Sequence, residues 1–169
     1  VEPDHPIARD CAASRSPDAT QALGRALGRE LRAGDVLALS GDLGAGKTCL
    51  VQGIARGLDV DPAIPITSPT FGLVGEYPGR LWLRHADFYR VESYDRLAAA
   101  GFEDLLDGDA VVVVEWAERF PAVLPDDRLE IHIEICADDG RGDPPRRLAL
   151  RARGPRSAEL EGALSKIWR

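Results

Sequence analysis

Apolar positions along this chain recur with two different periods. Leu23, Leu27 and Leu31 stand four apart, the spacing of one helical face, with Thr20 as a candidate N-cap and Gly34-Asp35 as a stop. Residues 36–40 form a short apolar run, the pattern of a buried strand, and lead into a glycine-rich segment. A second helix is predicted over 47–56, stopping at Gly57. Residues 59–69 hold three prolines and read as a surface loop. Segments 71–77 and 81–86 read as a hairpin turning at Pro78-Gly79. A short helix over 93–100 closes at Gly101, and 110–114 is a continuous apolar strand ending on Glu115. Leu129, Ile131, Ile133 and Ile135 alternate with polar residues, so 129–136 has one buried face and pairs with 147–152. Ser157 is a candidate cap for a last helix bearing Leu160, Leu164 and Ile167. Alternating strands and helices predict an α/β class with a mixed parallel and antiparallel sheet.

At 169 residues the chain has the size of one domain. Residues 1–19, with prolines at 3, 6 and 17, read as an irregular arm before a single domain over 20–169. No apolar run approaches a membrane span and no signal-peptide pattern opens the sequence, so a cytoplasmic location is expected. Cys11, Cys49 and Cys136 are odd in number and far apart, which argues against a disulfide framework or a zinc site. A net charge of −7 makes direct binding of nucleic acid a poor expectation, because phosphate contacts need clustered cations. Lys47 and Lys166 are the only lysines. A lysine kept at position 47 in a chain otherwise relying on arginine therefore stands out.

Its context explains why. Gly41-Asp42-Leu43-Gly44-Ala45-Gly46-Lys47-Thr48 matches GxxxxGK[ST], between a predicted strand and a predicted helix. In that pattern the glycines let backbone amides curl around a phosphate at a helix N-terminus. Lys47 then reaches phosphate oxygens, and the Thr48 hydroxyl is placed to ligate Mg²⁺. ATP with Mg²⁺ is the expected ligand, held by Asp42, Leu43, Gly44, Ala45, Gly46, Lys47 and Thr48. Such a loop needs an acid, and two end predicted strands: Glu115 after four valines, and Asp87 after Leu83-Arg84-His85-Ala86. For either, a solvated acid at a strand end is the alternative. Ser68-Pro69-Thr70-Phe71 places hydroxyls of Ser68 and Thr70 where nucleotide switches sense a terminal phosphate, although a plain turn reads equally well. His85 and Asp87 form an HxD pair without a third ligand, so the histidines are read as structural or solvent-facing; Trp82, Trp116 and Trp168 are read as packing residues, with Trp116 the exception because of its neighbour Glu115.

Together, GDLGAGKT at 41–48, SPTF at 68–71, HADFYR at 85–90, VVVVEWAER at 111–119 and LPDDRLEIHI at 124–133 resemble the bacterial TsaE-type family of tRNA threonylcarbamoyladenosine biosynthesis ATPases. The likeness runs from about residue 20 to 152 and departs at Ala117, where proline is frequent. It implies a P-loop three-layer fold and a slow, partner-dependent ATPase supporting threonylcarbamoylation of adenosine 37. It also implies partners: the transferase subunit and its inactive paralogue, with tRNA engaged through them. By position, Lys47 and Thr48 would hold phosphate and metal, Glu115 would complete the magnesium site, and Asp87 would orient or deprotonate water. The split between the two acids stays open. Thr70 would belong to the switch, and Trp116 would flank the acid. A small-molecule kinase, with Arg141, Arg146 and Arg147 as a lid, and a non-enzymatic nucleotide switch are the competing readings. The absence of asparagine removes the usual guanine reader. The adenine pocket is not legible.

Overall fold

The computed structural model describes residues 11–69 and 72–168. Seven strands form one sheet in the order β1-β7-β6-β2-β5-β4-β3. The middle of the sheet is parallel: β2 (Val36–Ser40) lies between β5 (Val111–Glu115) and β6 (Leu129–Ile135), and β4 (Leu83–Asp87) lies beyond β5. Its margins are antiparallel, with β3 (Val74–Tyr77) on β4, and with β7 (Arg146–Ala152) and then β1 (Cys11–Ser14) on β6. Sequence order explains this division. Hairpins join β3 to β4 and β6 to β7, whereas the parallel neighbours need crossovers long enough to carry helices.

Alternation along the strands fills two cores. Leu37, Leu39, Val111, Val113, Ile131 and Leu148 face α1 (Pro17–Glu30), α2 (Lys47–Gly57) and α4 (Pro155–Ile167). Val36, Ala38, Val112, Val114 and Phe88 face α3 (Tyr94–Ala99) and the 3₁₀ turns beside it. The result is three layers around a mixed sheet, as the sequence predicts. Trp168 packs into the first core, but Trp82 is half exposed and is not a packing residue.

Three local expectations need correction. Cys11–Ser14 is an edge strand rather than irregular chain, its backbone paired with Arg146–Ala149; residues 1–10 lie outside the described residues. Helix α1 begins at Pro17 with Ser16 as N-cap, its Oγ accepting from the Ala19 amide at 3.1 Å. Pro17 at the first helical position starts the helix instead of breaking the arm. Thr20 is buried inside that first turn, its hydroxyl 2.7 Å from Ser14 Oγ. The helix ends at Glu30, before Gly34-Asp35.

At α4 the cap is Gly154, and Ser157 sits three residues in, its Oγ accepting from the amides of Gly154 and Arg153. The missing cap comes from Asp127, which accepts from the Arg156 and Ser157 amides at 2.8 and 2.9 Å. Burial pushes the Asp127 carboxyl up, but hydrogen bonds from Ser157 and Arg156 outweigh it and hold the pKa below the ordinary value. A depressed carboxyl contributes stability above its unfolded pKa of about 4 and loses it as pH falls through the folded value. Asp127→Ala is therefore expected to cost about 1 kcal/mol at pH 7, and the gap from the native chain should shrink below pH 4 in thermal melts. A gap independent of pH would refute the charged cap.

Candidate functional site

The glycine-rich loop 41–48 leaves the carboxyl end of the central strand β2 and enters α2, so the α2 amides open onto the crevice above the parallel strands. Gly46 caps α2 at φ 110°, a conformation an L side chain rarely takes, and a Cβ built there or on Gly44 meets nothing within 4 Å. Gly44, Gly46, Lys47 and Thr48 line a cavity, so the loop turns its backbone toward a concave space, the shape an anion requires.

β4 and β5 supply the acids. Their register sets Asp87 beside Glu115, both at carboxyl ends. Thr48 Oγ1 donates to Glu115 Oε1 at 2.8 Å and lies 2.9 Å from Ser68 Oγ. Glu115 is only 3% exposed. Asp87 lies farther out and accepts the Tyr89 amide through Oδ1 at 2.8 Å. Both acids line a cavity of about 250 Å³ with Lys47 and Thr48, and they differ in their partners: Glu115 is buried against Thr48, and Asp87 is more exposed and held by the Tyr89 amide. Thr70 lies outside the described residues, so of the switch pair only Ser68 is placed.

Lys47 is buried, and Nζ donates to the carbonyls of Gly41 at 2.5 Å and Asp42 at 3.0 Å. Burial pushes its pKa down, against the opposing pull of Glu115, Glu118 and Asp87. The Trp116 ring covers it with the centroid 4.0 Å from Nζ. Trp116 reaches this position because the chain turns at φ 56° immediately after Glu115, a left-handed conformation that costs a non-glycine residue about 1–2 kcal/mol. Tyr89 stacks on the same indole at 4.9 Å between centroids. Arg119 donates to the carbonyls of Phe88 and Tyr89, tying the segment after β4 to the one after β5.

Two features escaped the sequence reading. His85 is fully buried and its Nε2 meets Glu115 Oε1 at 2.8 Å, so it belongs to the site. The signal was available in the i, i+2 spacing that puts His85 and Asp87 on one face of β4, but only sheet register showed the face to be that of Glu115. The second is a cavity of about 160 Å³ on the other side of the loop, bounded by Arg15, Ser16, Gly44, Cys49 and Arg146. Nothing local in the sequence joins those residues. Of the three arginines considered as a lid, Arg146 and Arg147 are part of β7, and Arg147 pairs with Glu134.

An open α/β sheet with a glycine cradle and two carboxylates at its parallel strand ends defines a crevice-binding α/β protein. Comparison with known proteins narrows it. A family model described as "Threonylcarbamoyl adenosine biosynthesis protein TsaE" matches residues 14–142, and the chain belongs to that family. The tRNA threonylcarbamoyladenosine biosynthesis protein TsaE of Treponema pallidum is 42% identical over 128 residues, 76% of this chain and 93% of the relative. That of Streptomyces coelicolor is 38% identical over 143 residues, covering 82% and 94% respectively. A crystal structure of YdiB from Bacillus subtilis superposes with a TM-score of 0.74 at 33% identity, over 97% of this chain and 99% of that one.

Proposed function

We propose that this chain is a magnesium-dependent ATPase that supports N6-threonylcarbamoylation of tRNA adenosine 37 in the cytoplasm, acting on the transferase complex rather than performing the transfer. The observation that carries the reading is the contact of Thr48 with Glu115 beneath the cradle of residues 42–48. A hydroxyl and a carboxylate meeting at a helix N-terminus are hard oxygen donors, the set that suits Mg²⁺. Membership of a family described by this biosynthesis supplies the pathway.

In this reading the amides of Asp42 to Thr48 hold the β-phosphate, and Lys47 neutralises the phosphate tail from the position it already occupies within the loop. Thr48 and Glu115 would hold Mg²⁺, which when bound offsets charge on the transferring phosphoryl group. Asp87, in the cavity wall and outside the Thr48–Glu115 contact, orients or deprotonates the attacking water. Ser68, beside Thr48, marks the segment that responds to the terminal phosphate. Trp116 and Tyr89 limit access of bulk water over Lys47. The nucleoside end leaves past Cys49 into the cavity bounded by Arg15, Ser16 and Arg146.

The test is phosphate release measured with and without Mg²⁺, alone and with the transferase subunit and its inactive paralogue. Release should require the metal, be slow alone, and rise at least several-fold with the pair. Transfer of label to a metabolite rather than water would favour a kinase. Full support of tRNA modification by a variant that binds ATP without cleaving it would favour a switch.

A further inference from the structure

We propose that His85 is a positioning residue: it holds Glu115 in the orientation that presents the carboxylate to the metal. The inference rests on the reading of Glu115 as a magnesium ligand and extends it to a side chain that touches neither nucleotide nor metal. His85 lies on β4 opposite Val113 of β5, two residues before Glu115 on the same face of that strand. Its Nε2 is 2.8 Å from Glu115 Oε1, and Thr48 Oγ1 approaches the same oxygen at 2.8 Å. Among the described residues both contacts fall on Oε1 and none on Oε2. Two donors fixed to one oxygen stop rotation of the carboxylate and leave the other oxygen for a further ligand.

The opposite ring nitrogen shows that packing is not the reason for the histidine. Among the described residues Nδ1 is buried without a hydrogen-bond partner, an unfavourable state. An apolar side chain would carry no such orphan, so what the imidazole adds at this position is the Nε2 contact with Glu115. Opposite a carboxylate oxygen, Nε2 is the ring atom placed to donate. Groups that orient a metal-ligating side chain in this manner are worth roughly 10–100-fold in metal affinity or activity.

Three substitutions in the full chain separate positioning from packing. The amide nitrogen of His85→Gln falls where Nε2 lies, that of His85→Asn falls near Nδ1, and His85→Leu has no donor. The measurements are the Mg²⁺ concentration giving half-maximal ATP turnover, ATP affinity by calorimetry with Mg²⁺ and with EDTA, and the thermal midpoint. Leu and Asn should raise the Mg²⁺ requirement about 10-fold or more and lower kcat, with ATP affinity in EDTA within about twofold of the native chain. Gln should return both to within about threefold. Should the Leu variant fail to fold, the contrast between Gln and Asn still decides. Native Mg²⁺ dependence in Leu or Asn, or a folded Gln variant as impaired as Asn, overturns the proposal. A native chain that binds ATP identically with and without Mg²⁺ overturns the site reading itself, a result distinct from either of these.

Discussion

Replacing Lys47 with alanine is expected to lower ATP turnover by at least about 10²-fold while leaving the fold in place. A cation aimed at charge developing on the transferring group contributes at about that level in a site shielded from water. The structural cost is small because opposing terms nearly cancel. The variant loses two hydrogen bonds to Gly41 and Asp42 and a cation over Trp116, but it also relieves the burial of an ammonium group. The thermal midpoint should therefore move by only a few degrees. Glu115→Ala should abolish turnover as well, with a larger loss of stability. It strands the buried Nε2 donor of His85 and frees the Thr48 hydroxyl, at about 1–3 kcal/mol for each buried group left unpaired. Phosphate release beside differential scanning calorimetry separates the two effects. Undiminished release in both variants would remove Lys47 and Glu115 from the mechanism.

The second large effect lies away from the chemistry. α1 crosses α2 on glycines, Gly24 and Gly28 from one helix against Gly53 and Gly57 from the other. A Cβ at Gly53 would stand 2.3 Å from the Gln21 carbonyl oxygen, and one at Gly24 would stand 2.4 Å from that of Leu50. These neighbours are backbone and cannot rotate away. Gly53→Ala is expected to cost about 2–4 kcal/mol net, the overpacking penalty exceeding the roughly 1 kcal/mol that alanine contributes in a helix. For a domain of this size that lowers the midpoint by roughly 6–12 °C. Turnover should fall too, because α2 carries Lys47 and Thr48 at its first turn, and a small displacement there misplaces both. Gly162 is the control. It is exposed in α4 with nothing within 4 Å of an added Cβ, so Gly162→Ala should stabilise by about 0.5–1 kcal/mol. Equal effects at positions 53 and 162 would refute the close-approach argument.

Periodicity and local chemistry were enough to locate β2 and α2 to within a residue, because a buried strand, a glycine loop and an amphipathic helix are each specified by neighbours in sequence. The same holds for the hairpin of β6 and β7, whose alternating residues face one core. Helix α1 starts at Pro17 rather than after Thr20 because a proline at the first turn of a helix lacks only an amide hydrogen bond that is not available there to any residue. The capping of α4 was misread for another reason: its principal acceptor, Asp127, lies on a separate segment.

The sequence by itself determined the α/β alternation, the cradle of 41–48, and the candidacy of Asp87 and Glu115, all of which depend on residue type and spacing along a short stretch. Only the tertiary structure decided which acid meets Thr48, that His85 grips it, that Trp116 lies over Lys47, and that two helices touch through bare backbone. Those contacts join residues far apart in the chain, Thr48 and Glu115 by 67 positions, and they depend on strand order and register. No short-range pattern encodes register between strands far apart in the chain; it is set when the whole sheet buries both its faces at once.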